Sequence, residues 1–153
     1  VAVTSEDYGG IPLRYRGAAR GALVVSQVNA GRKNSLRYEL ACARGALSWN
    51  SESPDQLWIG RRAEPNEVLL RDPSLLCDQA RAAVGVPGGH AEGYPVTFKQ
   101  HFRAFYGYIA KGDFSATAPF ATFEDGHREA LLCEAVLESQ QKGGWMTVPG
   151  VGA

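Results

Sequence analysis

The chain has 153 residues, with 16 Lys and Arg balanced by 16 Asp and Glu, so it carries no net charge at pH 7. Apolar residues make up 44% and charged ones 21%, the composition of one folded domain rather than a disordered chain. A neutral chain without a basic patch argues against nucleic-acid binding, and no apolar run reaches the roughly 20 residues of a membrane span.

The first half reads as strands. In YGGIPLRY, Ile11, Leu13 and Tyr15 alternate with Pro12 and Arg14, and Pro12 marks an edge or bulged strand. RGAARG (16–21) is a turn. ALVVSQVN (22–29) follows, with Ala22, Val24, Ser26 and Val28 on one face and Leu23, Val25, Gln27 and Asn29 on the other. AGRKN (30–34) turns again. SLRYELACA (35–43), ALSWN (46–50), QLWIGRR (56–62) and NEVLLRD (66–72) complete an antiparallel meander.

The second half reads as helices. Asp72-Pro73 carries the signature of a short helix start, with Asp as cap and Pro at the first helical position. From Pro95 to Lys111, Phe98, Phe102, Phe105 and Ile109 recur at helical spacing, and Gly112 is the stop. A last helix is predicted over Phe123–Lys142. Thr122 caps it, Glu124 and Asp125 stand at its positive end, and Gly143-Gly144 closes it. WMTVP (145–149) has the composition of a final strand, and the GVGA tail reads as loose. Strands first and helices later predict an α+β class: an open, mostly antiparallel sheet with helices packed on one face.

Cys42, Cys77 and Cys133 are odd in number, far apart and free of CxxC or CxxH spacing, which excludes a disulfide framework and a zinc site. The expectation is reduced, mostly buried thiols in a cytoplasmic protein. No signal peptide is visible. The polar start, entering strand-like sequence abruptly, reads as a piece of a longer protein.

A dinucleotide fold needs G-x-G-x-x-G between a strand and a helix. GVPGGH and GVG have the wrong spacing or context. There is no P-loop and no G-x-S-x-G. His90-Ala91-Glu92 is half of a deaminase signature without its P-C-x-x-C half. On its own, His90 reads as a surface histidine, His101 as a residue at a packing boundary and His127 as solvated. Arg32, Lys33 and Asn34 form a basic cluster, either a ligand group or a solvated hairpin tip. Composition and spacing give no catalytic or metal-ligating residues.

Taken in order, TSEDYGGIPLRYRGAARGAL, SQVNAGRKNSLRYELACARGALSW, QLWIGRR, PGGHAEGYPVTFKQHF and FATFEDGHREALLCEAVLESQQKGGW resemble the C-terminal domain of NAD(P)-dependent oxidoreductases related to glucose–fructose oxidoreductase and inositol dehydrogenase. The likeness runs from about Glu6 to Val148. It implies that residues 1–153 are a substrate-side and oligomerisation domain, with the N-terminal Rossmann domain absent from this chain. NAD or NADP would sit in the parent enzyme, and this fragment would hold no cofactor. Substrates of the family are sugars, inositols and related polyols. The family's Glu-Lys-Pro lysine and its Asp-x-x-x-His pair do not occur in these residues, so no catalytic residue carries over.

On that reading the Gly-rich loop approaches a ligand closely. His90 and Glu92 offer hydrogen bonds to hydroxyls and Tyr94 an apolar wall with a polar tip. Arg32, Lys33 and Asn34 are a second candidate group. The expected partners are the missing Rossmann domain, a small sugar or polyol, and a second copy paired through the sheet as a homodimer or higher homo-oligomer. The rival reading is a stand-alone ligand-binding or oligomerisation module without catalysis, and a Rossmann fingerprint upstream in the reading frame separates the two.

Overall fold

Alternating side chains in the first half and helical periodicity in the second do become strands and helices. The computed structural model of the protein describes residues 5–150. Their order is β1 (Tyr8–Arg14), β2 (Arg20–Ser26), β3 (Arg37–Ala41), β4 (Gly45–Asn50), β5 (Gln56–Arg61), β6 (Glu67–Leu70), α1 (Asp78–Ala82), α2 (Tyr94–Lys111) and α3 (Phe123–Lys142). All strand pairs are antiparallel, and the class is α+β. Residues 1–4 and the tail beyond Gly150 lie outside the described residues.

The six strands form two sheets rather than one meander: β1–β2 alone, and β3–β4–β5–β6 in sequence order. The break falls in 27–36. The Val28 N–H donates to Ser26 Oγ at 3.2 Å, Ser26 Oγ bonds Asn29 Oδ1 at 3.1 Å, and the Arg32 N–H donates to the Asn29 carbonyl at 3.3 Å. These local bonds turn the backbone out of a ladder. The chain accordingly divides into two compact units, residues 1–32 with 121–153, and residues 33–120.

In the first unit, Ile11 pairs with Leu23 and Gly9 with Val25 across β1 and β2, so their side chains share one face. That face, with Leu132, Ala135 and Val136 of α3 and the segment after α3, lines a cleft of about 760 Å³. Trp145 was expected in a strand. It lies instead in irregular backbone, with the Arg14 guanidinium 3.7 Å from the centre of its ring. A cation over an indole face is attractive, and the segment lines the cleft instead of adding to a ladder.

The second unit holds the four-stranded sheet with α1 and α2. Its register pairs Tyr38 with Trp49, Leu40 with Leu47, Leu47 with Ile59, and Leu57 with Leu69. Directly opposed residues share a face, so one side of this sheet is almost wholly apolar. The other side is mixed, with Arg37, Glu39, Ser48 and Asn50 beside Trp58, Val68 and Leu70. Asp72-Pro73 does not start a helix. The Asp72 carboxylate accepts from the Ser74 N–H at 2.9 Å and from its hydroxyl at 2.7 Å, a side-chain-closed turn, and α1 begins only at Asp78. The three thiols are free, as expected, but exposed rather than buried.

Helix ends follow the sequence closely. Gly112 and Gly143 take left-handed backbone at φ +67° and +64° and end α2 and α3. At the start of α3, Thr122 and Asp125 form a reciprocal capping box. The Thr122 N–H and hydroxyl each donate to Asp125 Oδ2 at 2.8 Å, and the Asp125 N–H donates to Thr122 Oγ1 at 3.4 Å. The Thr122 N–H, then its hydroxyl, and more weakly the Arg128 charge hold the Asp125 carboxyl below its ordinary range. A folded-state value below the unfolded one stabilises above the unfolded pKa of about 3.9 and is lost as pH falls through the folded value. Asp125→Asn is therefore expected to weaken α3 at neutral pH and to lessen the loss of helical circular dichroism between about pH 4 and the acid limit. An unchanged acid titration curve refutes this coupling.

Candidate functional site

A loop with several glycines has few side chains with which to hold itself, yet its backbone carbonyls still need donors. Residues 85–93, GVPGGHAEG, solve this with one side chain from outside the loop. Arg71 follows β6 directly. Its Nη1 donates to the Val86 carbonyl at 3.2 Å, and its Nη2 reaches the Pro87 carbonyl at 3.5 Å and the His90 carbonyl more closely. Its Nε donates to Asp55 Oδ1 at 2.6 Å, and Nη1 lies 3.1 Å from Glu92 Oε2. The side chains of Arg71 and Glu92 are only 14% and 10% exposed, so this pair is substantially withdrawn from water. Charges so placed need partners, and each has them.

Glu92 uses its second oxygen as well, accepting from the Gly85 N–H at 2.7 Å. It thus ties the start of the loop to its end. Within the loop, the His90 N–H reaches back to the Pro87 carbonyl at 3.4 Å, and Gly89 stands at φ +82°. Positive φ at the third residue of a four-residue turn is the reason glycine is found there. The loop lies against the sheet end: a Cβ added at Gly88 would come 3.7 Å from the Arg71 carbonyl oxygen, and one at Gly93 3.8 Å from Pro54. Beside Gly85, the buried Gln100 Nε2 has no hydrogen-bond partner.

The sequence-predicted residues fall as follows. His90 is exposed, on a backbone anchored by Arg71. Tyr94 begins α2, is exposed, and meets Phe98 edge-to-face at 5.1 Å. Glu92 holds the loop. Its carboxylate oxygens keep further lone pairs, so a hydroxyl can still approach them. Arg32, Lys33 and Asn34 are exposed in the connection between β2 and β3. Arg32 belongs to the first unit and Lys33 and Asn34 to the second. His101 packs edge-on to Phe120 at a ring distance of 6.3 Å. Sequence reading missed Arg71 and Asp55. The available signal was a multi-donor side chain at a strand end just ahead of a loop poor in side chains.

Among the described residues, no group of three or more His, Cys, Asp or Glu is placed to hold a metal ion. No helix among them is long and apolar enough to cross a membrane. No described strand passes through a Gly-rich turn into a helix in the way a dinucleotide pyrophosphate requires. These residues therefore do not fit a nicotinamide cofactor by themselves.

No family model matches the sequence. A levoglucosan dehydrogenase from Pseudarthrobacter phenanthrenivorans is 24% identical over 147 residues, 92% of this chain and 36% of that protein. An oxidoreductase from Sinorhizobium meliloti superposes with a TM-score of 0.82 at 27% identity, covering 93% of this chain and 41% of its own. An inositol dehydrogenase homolog from Azotobacter vinelandii, solved with NADH and myo-inositol, gives 0.81 at 25%, covering 91% and 38%. In sequence and fold the chain is thus similar to part of these oxidoreductases. It spans 36–41% of the length of these relatives.

Within this domain the Arg71–Glu92 pair is the element whose loss should be felt most. Glu92→Gln removes one charge and leaves Arg71 with Asp55 alone. Hydrogen bonds to charged groups contribute about 1.5–3 kcal/mol, so a loss of about 2 kcal/mol is expected in urea unfolding of the domain, together with faster amide exchange at Gly85. An unfolding midpoint equal to that of the unmodified protein overturns this assignment.

Proposed function

We propose that this chain is the substrate-side part of an NAD(P)-dependent oxidoreductase acting on a sugar, inositol or related polyol. The observation that carries this reading is the joint likeness in sequence and fold to the Azotobacter inositol dehydrogenase homolog, which is described with NADH and myo-inositol. The anchored Gly-rich loop supports it chemically. A polyol presents several hydroxyls at once. Its recognition calls for neutral donors and acceptors held in fixed places. The loop backbone is fixed by Arg71 and Glu92, while the His90 imidazole and the Tyr94 hydroxyl stand exposed.

In this reading the cofactor lies in the Rossmann part of the parent, which would supply hydride exchange with the substrate carbon, and the proton-handling Asp-x-x-x-His pair on a helix just before the sheet. The residues of this chain bind and orient. His90 donates or accepts at a hydroxyl, Tyr94 offers a ring face and a polar tip, and Glu92 accepts where a lone pair remains. Arg32, Lys33 and Asn34 are a second group for hydroxyl or anion contact. Three exposed free thiols suit a reducing compartment such as the cytoplasm. The test is turnover by the full-length protein with myo-inositol and levoglucosan, using NAD+ and NADP+. His90→Ala should weaken kcat/KM about tenfold, the loss of one or two hydrogen bonds. Unchanged kcat and KM return His90 to an ordinary surface position.

The same reading assigns the apolar side of β3–β6 to a partner copy. Tyr38 is 51% exposed, Leu40 59% and Leu69 45%, and large exposed apolar surface marks interaction sites. Self-complementary two-fold pairing is the commonest way to cover such a face. Sedimentation at micromolar concentration should give a mass above the 16.5 kDa of one chain, and Leu40→Glu should return it to one chain. A single-chain mass without the substitution defeats the pairing.

A further inference from the structure

We propose that Arg71 is the positioning residue of the polyol site. It sets the place of His90 through the loop backbone without touching the substrate. This rests on the reading of the loop as a substrate wall. The argument begins with what the loop lacks. Gly85, Gly88, Gly89 and Gly93 leave its backbone freer than any other sequence would, and holding such a segment in one conformation is entropically costly. A binding group on it is useful only if something outside the loop removes that freedom.

Arg71 does so with all of its donors. A guanidinium has five N–H groups in one rigid plane. Here its nitrogens face the carbonyls of Val86, Pro87 and His90 and the carboxylates of Asp55 and Glu92. With these acceptors satisfied and the side chain 14% exposed, nothing is left over for a ligand. The role is therefore positional. One contact falls on the His90 carbonyl itself, so the imidazole is carried by the residue whose backbone the fork grips.

The origin of the fork is fixed in turn. The Arg71 N–H donates to the Asp55 carbonyl at 2.8 Å, and Asp55 and Arg71 flank the paired ends of β5 and β6, where Gln56 opposes Leu70. The loop thus takes its orientation from the sheet. A lysine at this position would offer one point charge in place of a planar fork. It would keep the attraction to Asp55 and Glu92 while losing the defined grip on three carbonyls.

The test uses the full-length protein with NAD+ and with myo-inositol and levoglucosan as probes. Arg71→Met, Arg71→Lys, His90→Ala and the double variant Arg71→Met/His90→Ala are compared. Kinetics and amide exchange across 85–93 are both measured. Arg71→Met is expected to raise the polyol KM about tenfold or more, the scale of misplaced binding groups. It should leave the dinucleotide KM in place and speed exchange in the loop. Arg71→Lys, which preserves the charge should the methionine variant fold poorly, should fall between. In the His90→Ala background Arg71→Met should have a clearly smaller effect, because one of the groups it positions is already gone. Equal effects of Arg71→Met with and without His90 overturn the proposal, as does a rise in both KM values together. Loop exchange unchanged in both Arg71 variants refutes the anchor whatever the kinetics. Accelerated exchange with polyol KM unchanged in both Arg71→Met and His90→Ala refutes the substrate-wall reading, and with it the role of Arg71 in binding.

Discussion

One guanidinium, held between two carboxylates and three backbone carbonyls, gives the candidate site its form. Withdrawing a charge from water is unfavourable unless opposite charge and hydrogen bonds replace the lost solvation. Arg71 finds both in one plane, through Asp55, Glu92 and the loop carbonyls. The constraint runs both ways. The loop keeps Arg71 satisfied, and Arg71 denies the loop the freedom its glycines would give it. Glu92 adds the bond to the Gly85 N–H, so the segment is gripped at its start, middle and end. His90 and Tyr94 take their positions from that grip.

The parts of the fold that were legible in the sequence are those decided locally. Strand alternation, the Thr122–Asp125 box and the glycine stops each lie within a few residues of one another. The failures have the same physical origin read in reverse. Asp72-Pro73 fits a helix start and a turn equally well, and Ser74 decides for the turn by supplying an amide and a hydroxyl to the carboxylate. WMTVP has strand composition but lines the cleft of the first unit, its indole taken by Arg14. The single meander failed because Ser26 and Asn29 close a local turn, and the unit boundary follows it. Burial of the cysteines was inferred from how free thiols usually behave, which presumes a complete core.

The site was half legible. Glycine density drew attention to 87–94, and its polar residues could be named at once. The direction of Glu92 could not be. Its carboxylate is drawn into the loop by Arg71, 21 positions earlier in the sequence, and backbone carbonyls carry no residue identity that a sequence could display. Long-range pairing with anonymous acceptors leaves no motif. What it leaves is a shortage: a loop with too few side chains to satisfy itself, preceded by a strand followed at once by an arginine.

The exposed apolar surface follows from the same sequence logic. Register puts Tyr38, Leu40, Leu47, Trp49, Leu57 and Leu69 on one side of the four-stranded sheet and Arg37, Glu39, Ser48 and Asn50 on the other. The first side is the more apolar and the one expected to be covered, although Trp58, Val68 and Leu70 lie on the second. Yet Leu40 remains 59% exposed, and Phe98 and Phe102 on the stripe of α2 remain 51% and 54% exposed. Ala135 is the one buried apolar side chain among the described residues. A chain that is 44% apolar has enough hydrophobic residues for a core, so composition is not what is lacking. The chain spans about two-fifths of the solved structures it matches, and we propose that this surface meets neighbours beyond it. On the reading proposed above, the parent's cofactor domain and a second copy are those neighbours. The Arg71 anchor is different in kind: every one of its partners lies within residues 55–92, so the loop can be set before any neighbour arrives.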